Sequence, residues 1–428
     1  MKSTASHHKH DARGAGFKHL TPTREAIQLL LQKLTVKLED EEVPVDASLG
    51  RITASDVIAT VDVPSYDRAA MDGFAVKAED TYSASFSAPI TMWLIGELLI
   101  EDTLQVEVGK GQCASIVTGA QLPAGSNAVV MVEYTRRLND TTIEILSEVR
   151  PGENISRRGE DVSKGAAVLR SGTMLLPQDI GMLNALGTHQ ITVVRKPRVA
   201  VLSSGNELRD HSGSAGRIAD VNRPMLIAAC QNLGSTPIDL GIVIDDYEAI
   251  RAKLLEGLQV ADVVLVTAGT SVGPADIVPK VIDSLGQPGM LVHGVAMRPS
   301  MPTGLAVVNG KPVISLPGYP VSAYLAFIEF VHPLIAHLLR TCLLPPPKVR
   351  VKLNRRIPGI LGSRTYVRVK VISSKDGLIA EPVRTSGAGI LSSLVQANGL
   401  IIVPENVEGY EEGALVDVEL FRPQERPS

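Results

Sequence analysis

The chain has 428 residues, more than one hydrophobic core usually organises, so we expect several domains. Its 42 Lys and Arg residues against 46 Asp and Glu residues leave a formal charge of −4, and only 4% of residues are aromatic. This balance argues against a protein that coats nucleic acid, and 44% hydrophobic with 21% charged residues excludes a wholly disordered or coiled-coil chain.

The N-terminal residues and the cysteines indicate the compartment. Residues 1–17 are polar, contain several His residues and lack an apolar stretch, which predicts a disordered tail rather than a secretory signal. The most apolar stretch, 321–339, contains a Glu, a Pro and two His residues, so it predicts a buried or amphipathic helix rather than a membrane span. No CxxC pair joins the three cysteines, which fits a reducing compartment; they are Cys113, Cys230 and Cys342. We therefore expect a soluble cytoplasmic protein without a membrane or nucleic-acid partner.

The first half of the chain predicts one helix followed by a β-rich region. The helix covers residues 21–34, with Thr21 as its cap. Short runs of β-branched residues, broken by Pro and Gly, extend from there over residues 57–149, and the clearest of them is 128–134. A short helix ending before Gly187 and one strand complete this half.

From residue 198 the pattern changes to strands that alternate with helices. The strands are predicted at 199–202, 238–243, 263–267, 291–296, 305–308 and 313–316. They are apolar throughout, which is typical of a mostly parallel sheet covered by helices on both faces. After a proline-rich hinge at 344–347, further short strands predict a small β-barrel. The fold class is thus α/β and multidomain.

Two polar loops follow strands of the predicted sheet, at the edge where open parallel sheets bind ligands. The loop Ser203–Glu207 offers backbone N–H groups to an anion and the Glu207 carboxylate beside them, although a tight turn explains it equally well. The loop Ala268–Asp276 precedes a helix, and Asp276 can hold a divalent cation or cap that helix. Neither loop contains a Walker A or GxGxxG pattern.

A third loop and several polar clusters complete the candidates. The stiff turn Leu316–Ser322 precedes a helix N-terminus and suits a small oxyanion, but a structural turn is the more common meaning of such a sequence. Arg298, just after the fourth strand, offers an anionic ligand a guanidinium that can donate two parallel hydrogen bonds. The clusters at 69–76, 116–120 and 157–162 are each typical of a turn when taken alone. The residues therefore predict a cleft for an anion and a metal without naming the ligand.

Six motifs, in chain order, carry a resemblance to a known family. They are AMDGFAV, VTGA, RRGEDV, SSGNEL, GTSVGPAD and LPGYPVSA. They resemble the molybdopterin molybdenumtransferases, the MoeA family that is related to the E domain of gephyrin, over residues 20–423. The resemblance implies a homodimer of four-domain subunits. The implied domains are an elongated dimerisation domain (18–57 and 150–197), an inserted β-rich lobe (58–149), a mostly parallel α/β molybdopterin-binding domain (198–343) and a C-terminal β-barrel (345–424).

The family's activity would be insertion of molybdate into adenylylated molybdopterin, with release of AMP and dependence on Mg²⁺, in molybdenum cofactor biosynthesis. By motif matching, Glu207 and Asp276 are expected to hold the metal and the pterin nucleotide. The residues Asp72, Thr118 and Asp161 are expected to reach the same site from the partner subunit as catalytic groups. The implied cofactor-binding residues are Gly205, Gly269, Ser271, Gly273, Arg298, Pro317, Pro320 and Arg368. The resemblance also implies contact with a molybdopterin adenylyltransferase.

The chain departs from the family pattern at two positions. Met301, in Arg298-Pro299-Ser300-Met301-Pro302, replaces a lysine of the family's basic-Pro-Gly-Lys-Pro pattern, and Ala388 stands where some members have a serine. Losing one charge-assisted contact costs roughly 1.5–3 kcal/mol, or about 10- to 150-fold in affinity. We therefore expect a retuned enzyme rather than an inactive one, and the choice between molybdate and tungstate stays open. A non-catalytic pterin-binding or scaffold paralogue, and a molybdopterin adenylyltransferase, are the alternatives.

Overall fold

The structure is a computed structural model with two compact units. It describes residues 20–100, 106–210, 218–268, 277–342, 344–375, 377–384 and 387–423, and every structural statement below refers to these residues. Within them, residues 20–41 and 194–423 form the first unit, and residues 42–193 form the second unit. The finer division into four domains stays a prediction.

The helices in chain order are α1 (Thr23–Lys33), α2 (Pro177–Ala185), α3 (Asn222–Asn232), α4 (Tyr247–Val260), α5 (Ile277–Leu285), α6 (Pro320–Ala326), α7 (His332–Leu338) and α8 (Ser392–Gln396). Short 3-10 turns cover Val45–Ala47, Ala78–Thr81 and Val132–Tyr134, and a π-helical segment, Phe327–Val331, joins α6 to α7. The strands of the first 194 residues are β1 (Asp40–Pro44), β2 (Val57–Ile58), β3 (Arg68–Ala69), β4 (Gly73–Val76), β5 (Ile90–Leu98), β6 (Gln112–Ile116), β7 (Ala128–Met131), β8 (Thr135–Asn139), β9 (Thr142–Ile145), β10 (Ile155–Ser156), β11 (Ala167–Leu169) and β12 (Gln190–Val194).

The strands of the remaining chain are β13 (Arg198–Ser204), β14 (Leu208–Arg209), β15 (Ile218–Ala219), β16 (Thr236–Val243), β17 (Val263–Ala268), β18 (Pro288–His293), β19 (Met297–Arg298), β20 (Gly304–Val308), β21 (Lys311–Pro317), β22 (Lys348–Leu353), β23 (Ile357–Pro358), β24 (Arg364–Ser374), β25 (Gly377–Arg384), β26 (Gly399–Val403), β27 (Gly409–Tyr410) and β28 (Leu415–Leu420). The predicted alternation of strands and helices after residue 198 is therefore observed.

Helix α1 begins two residues later than predicted, and the expected cap was wrong. Pro22 occupies the N-cap position, and its extended backbone conformation carries no side-chain capping bond. Thr21 instead forms a parallel bridge with Val295 and donates its N–H to the Gly294 carbonyl at 3.1 Å. Tertiary pairing thus determines where the chain enters this helix.

The second unit is β-rich, as predicted, and its described sheet has the order β7-β4-β6-β5-β9-β8. All of β4 is buried because the sheet has a core on each face: Phe74 and Val76 belong to one apolar cluster and Ala75 to the other. The predicted strand over 128–134 was three residues too long. It ends at Met131, because the next three residues form a 3-10 turn.

The first unit contains the predicted α/β sheet, with the described order β16-β13-β17-β21-β20-β18. The first four of these strands are parallel, whereas β20 is antiparallel to both β21 and β18. Strand β17 is buried over its full length, and α4 and α5 pack against the same apolar cluster as β13 and β17. Apolar strands covered by helices explain the continuous hydrophobic runs in the sequence.

The predicted strand over 291–296 was wrong in its position, because β18 ends at His293. Gly294 has a φ of +102°, a left-handed conformation that interrupts the strand. The chain then turns, and β19 pairs in parallel with β24 rather than with the α/β sheet. Arg298 is therefore part of a strand that joins the C-terminal sheet.

The C-terminal residues form the predicted closed barrel. In the described residues its sheet has the order β19-β24-β25-β22-β28-β26, and an additional pairing of β24 with β26 closes the cylinder. Alternate residues of β24 point inward, since Val367, Val369 and Val371 all belong to the barrel's apolar cluster. The residues between them face out of the barrel.

One helical stretch of the described chain, Pro320–Leu338, is long and apolar enough to cross a membrane by length and composition alone. Of its most apolar window, 61% is buried inside the protein, and core helices of soluble proteins pass the same test. Its π-helical segment lies just before Pro333, which has no N–H to donate. Glu329 in that segment accepts a hydrogen bond from the Tyr366 hydroxyl of β24, so this stretch also contacts the barrel.

Candidate functional site

Three parallel strands of the first unit end at one edge of the sheet. Strand β13 lies between β16 and β17, and the chain passes from β16 over to the other side of β13 to form β17. This reversal of strand order is a topological switch point, the place where open α/β sheets bind ligands beyond their carboxyl ends. We call the residues at and just beyond these ends, Ser203–Glu207 with Asp245 and Thr267, the strand-end edge.

Buried hydroxyl groups line the strand-end edge. Ser203 Oγ and Thr267 Oγ1 share a hydrogen bond of 2.9 Å between β13 and β17, and both residues are buried. Ser204 Oγ donates to the Asp245 carboxylate, and the Asp245 N–H donates to Asn206 Oδ1 at 3.1 Å. The loops that follow β13 and β16 are thereby fixed against each other.

Glu207 and Gly205 form the polar tip of this edge. A Cβ built on Gly205 would lie 2.9 Å from each carboxylate oxygen of Glu207, so the carboxylate folds over the glycine. Gly205 is buried and donates its N–H to the Val243 carbonyl at 3.1 Å, whereas Glu207 is exposed. The edge therefore presents one solvent-accessible carboxylate above a tight backbone turn.

Four predicted site residues lie outside the described residues: Gly269, Ser271, Gly273 and Asp276. Their roles, including the pairing of Asp276 with Glu207 and its possible capping of α5, stay predictions. The described residues contain no group of three or more His, Cys, Asp or Glu side chains arranged for a metal. Mg²⁺ usually binds one or two carboxylates together with substrate phosphates and water, so an exposed Glu207 fits such an open site.

Sequence reasoning missed Asp245. Its signal is the pair Asp245-Asp246, which begins two residues after the end of β16, the strand beside β13. Asp246 caps α4, since its side chain accepts the Ala249 N–H, which leaves Asp245 to face the strand-end edge. Recognising Asp246 as the cap would have pointed to its neighbour.

The stiff turn predicted at Leu316–Ser322 joins β21 to α6 and contacts a loop of the barrel. Pro317 ends β21 and is buried, and Pro320 opens α6. The Val321 N–H donates to the Ala388 carbonyl at 3.1 Å, which joins the turn to the loop after β25. The family-implied pocket residues of this turn therefore lie beside a barrel loop.

Arg368 is the largest fully buried side chain among the described residues, with 2% of its surface exposed. It lies on β24 between two residues that point into the barrel core, so it faces outward. Its Nη2 donates to the Arg384 carbonyl at 3.3 Å. Burial, and the charge of Arg384, lower the pKa of Arg368 below its usual value. A buried cation in such a setting favours an anionic ligand.

The segment with Arg298 is held between the barrel and α6. Arg298 is half-buried, and its Nε is buried without a hydrogen-bond partner in the described part of the chain. Ser300 has a φ of +104°, which is unusual for a residue other than glycine, and its Oγ donates to the Ser322 carbonyl at 2.7 Å. Met301 is half-buried and accepts the Val295 N–H through its carbonyl.

The second unit brings two of the three remaining predicted residues together. Thr118 donates both its N–H and its Oγ1–H to Asp72 Oδ1, each at 2.7 Å. These two hydrogen bonds, the side-chain one first, lower the pKa of Asp72 and keep its carboxylate ionised. Asp161 is exposed and donates its N–H to the Val63 carbonyl at 3.1 Å, in a different hairpin.

Three family models match successive parts of the chain. Residues 21–187 match the MoeA N-terminal region (domain I and II), and residues 350–421 match the MoeA C-terminal region (domain IV). Between them, residues 200–337 match a model described as "Probable molybdopterin binding domain". The switch point lies within this middle match.

Individual relatives cover nearly the whole chain. A protein of Methanocaldococcus jannaschii whose name links it to molybdopterin biosynthesis is 37% identical over 421 residues, which are 95% of this chain and 99% of the relative. The molybdopterin molybdenumtransferase of Bacillus subtilis is 34% identical over 90% of each chain. A molybdopterin biosynthesis MoeA protein from Pyrococcus horikoshii, known from a crystal structure, is 35% identical in sequence and superposes with a TM-score of 0.81. The match covers 95% of this chain and 100% of that protein's chain.

Proposed function

This chain belongs to the MoeA family, and from that membership we propose that it inserts molybdate into adenylylated molybdopterin and releases AMP. The observation that carries the proposal is the strand-end edge of the molybdopterin-binding match. There a buried hydroxyl pair, a tight glycine turn and the exposed Glu207 carboxylate lie together at the switch point of the sheet. These are the groups that a pyrophosphate and its counter-cation require.

At this edge, Glu207 and Asp276 would hold Mg²⁺, and backbone N–H groups of the loops that contain Gly205, Gly269, Ser271 and Gly273 would face the phosphates. The metal would neutralise the pyrophosphate charge from which AMP departs. Glu207 is exposed and is therefore accessible to a metal that is shared with the substrate. The buried Ser203–Thr267 pair fixes the spacing of the two strands below it.

The oxyanion would bind at the other end of the site, between the stiff turn and the barrel. Pro317 and Pro320 fix that turn, and the buried Arg368 supplies a positive charge facing out of the barrel. Arg298 adds a half-buried guanidinium on β19, whose strand pairs with the strand of Arg368. An oxyanion held by guanidinium groups keeps its charge compensated where water is excluded.

The proposal includes a homodimer, with Asp72, Thr118 and Asp161 completing the site of the partner subunit. The two hydrogen bonds from Thr118 keep Asp72 ionised at neutral pH. Asp72 can therefore accept a proton or a hydrogen bond from the substrate. Contact with a molybdopterin adenylyltransferase, which would deliver the adenylylated pterin, is part of the same proposal.

The test follows both products in one sample. Purified protein is incubated with adenylylated molybdopterin, magnesium and molybdate, and released AMP and pterin-bound molybdenum are quantified together. We expect equal amounts of the two, and neither product when molybdate is omitted. AMP release without molybdenum insertion would contradict the proposal.

Two further arms of the experiment separate the alternative functions. Pterin nucleotide that stays bound and intact at saturating molybdate would identify a binding or scaffold protein, for which Met301 is the supporting sequence feature. Conversion of molybdopterin and ATP to the adenylylated pterin would identify an adenylyltransferase. We expect neither result.

A further inference from the structure

Two arginines lie directly opposite each other on neighbouring strands of the barrel. Along β24 and β25, Val369 pairs with Pro382, whereas the preceding residue Arg368 pairs with Arg384. The register shifts between these two pairs, so Val383 is the extra residue of a β-bulge in β25. Bulges next to binding sites redirect a side chain, and here the bulge places Arg384 across from Arg368.

This arrangement is unfavourable in the absence of a ligand. Side chains directly opposite each other on antiparallel strands have Cβ atoms about 5 Å apart, and like charges there are destabilising. Burial, and in addition the neighbouring charge of Arg384, lower the pKa of Arg368. In the part of the chain that the structure describes, the Arg384 guanidinium has no hydrogen bond and no ion pair, and it is exposed.

The pair also adjoins the stiff turn before α6. Arg384 Nε would be 3.5 Å from a Cβ built on Gly387, so its side chain lies along the loop that follows β25. That loop contacts the turn twice. The Ala388 carbonyl accepts the Val321 N–H, and a Cβ built on Gly389 would lie 3.1 Å from Cδ1 of Tyr319.

We propose that Arg384 is a second guanidinium ligand of a tetrahedral oxyanion that binds between Arg368 and the turn preceding α6. The inference rests on the proposed function in taking molybdate as that oxyanion. Neither the motifs nor the family resemblance selected Arg384. An oxyanion bridging the two guanidinium groups would offset their repulsion and give each a charge-assisted hydrogen bond.

The test is direct oxyanion binding to the purified full-length protein, measured by equilibrium dialysis with molybdate and, separately, with inorganic phosphate. The variants are Arg384→Ala and Arg384→Lys, and the matched control is Arg350→Ala, which removes an exposed arginine from β22 of the same barrel. We expect Arg384→Ala to weaken molybdate binding about 10- to 100-fold, Arg384→Lys to weaken it less, and the control to leave it unchanged.

Thermal unfolding provides an independent readout. Without oxyanion, Arg384→Ala should unfold at the wild-type temperature or above it, because the repulsion is removed, and molybdate should raise its Tm less than it raises that of the wild type. A lower Tm without oxyanion, together with an unchanged molybdate effect, would assign Arg384 a structural role and overturn the inference.

The two proposals fail in different ways. Molybdate binding that is equal in wild type and Arg384→Ala would overturn this inference even if AMP is released normally. Arg384-dependent binding without AMP release would uphold the inference and contradict the proposed function. Arg384-dependent binding of phosphate as well as molybdate would uphold a tetrahedral oxyanion site that does not discriminate between them, and binding of neither would overturn both proposals.

Discussion

The strand-end edge of the α/β sheet and the arginine pair of the barrel present opposite kinds of charge. At the edge, carboxylates and hydroxyls surround a backbone turn, and Glu207 remains exposed. On the barrel, guanidinium groups lie opposite each other, and Arg368 is buried. The edge suits phosphates together with a cation, whereas the pair suits an anion alone.

The difference lies also in what holds each region in place. The edge results from three parallel strands ending together, and its side chains are fixed by hydrogen bonds between the loops. The arginine pair results from a bulge that shifts the register by one residue, and it carries a like-charge penalty. The proposed nucleotide site would therefore be stable without its ligand, whereas the proposed oxyanion pocket would gain charge balance from its ligand.

The comparison is tested most strongly at Glu207. The variant Glu207→Gln removes the exposed carboxylate while preserving its shape, and we expect AMP release to fall about 100-fold, because the metal loses a charged ligand. Molybdate binding at the arginine pair should not change. Glu256→Gln, which changes an exposed residue of α4 that pairs with Lys253, is the matched control and should retain wild-type activity. If Glu207→Gln lost molybdate binding to the same extent as AMP release, the two regions would not be separate.

A variant of Thr118 tests the role of Asp72 in the second unit, whose carboxylate accepts a hydrogen bond from the Thr118 hydroxyl. Thr118→Val removes the side-chain hydrogen bond to Asp72 and leaves the backbone one, so we expect AMP release to fall about 10-fold. The lowered pKa of Asp72 should rise toward its ordinary value, since the first cause of the shift is lost. The acid limb of the pH–rate profile should therefore move to higher pH. Thr135→Val is the control, because it also removes a threonine hydroxyl that donates a hydrogen bond in the second unit, here to the Val132 carbonyl. An unmoved acid limb in Thr118→Val would contradict a role for Asp72.

Ser300 lies in the segment that leads from β19, which pairs with the barrel, back to β20 of the α/β sheet. Both Ser300→Gly and Ser300→Ala lose the hydrogen bond to the Ser322 carbonyl. Glycine relieves the backbone strain at this positive φ because it has no Cβ, whereas alanine keeps the strain. We expect the glycine variant to be more stable than the alanine variant by about 1 kcal/mol in the free energy of unfolding. Denaturant titration of both variants measures the difference. Equal stabilities would mean that the backbone is not strained at this position.

The smallest expected effect is at His332, in the helix that leads from the stiff turn toward the barrel. Burial beside the Phe327 ring lowers the pKa of His332 below its ordinary 6.5. The unfolded chain therefore binds a proton at a higher pH than the folded chain does, and the free energy of unfolding decreases as the pH falls below about 6.5. His332→Gln should reduce this decrease between pH 7 and pH 5, and His337→Gln, at an exposed position of α7, is the control for the substitution itself. Identical pH dependence in wild type and His332→Gln would contradict a lowered pKa at the half-buried His332.

The Ser203–Glu207 segment of the strand-end edge, unlike Asp245, was predictable from sequence because it follows from a topological rule. Apolar runs alternating with helices predicted parallel strands, and polar residues at their carboxyl ends predicted Ser203–Glu207 as a site segment. The barrel and the β-rich second unit were predictable for a different reason, because their strands are short runs of β-branched residues separated by turns. Individual boundaries, such as the start of α1, depended on pairing with Val295 across a long separation in the chain.

Arg384 was not predictable, because its position depends on a bulge. An alternating pattern assigns residues of β25 to inward and outward faces, and one extra residue at Val383 reverses the assignment beyond it. Arg298 was identified as a cation, but its strand pairs with β24 rather than ending at the α/β sheet. Such long-range pairings of two-residue strands leave no periodicity in the sequence.

The most direct test of the account is the initial rate of AMP release from adenylylated molybdopterin, measured for the wild-type protein across a molybdate titration with magnesium present. We expect the rate to be negligible without molybdate, to increase with its concentration and to reach a plateau, because the oxyanion must occupy its own pocket before AMP departs. A rate that does not depend on molybdate would contradict the account, as would intact pterin nucleotide at every molybdate concentration.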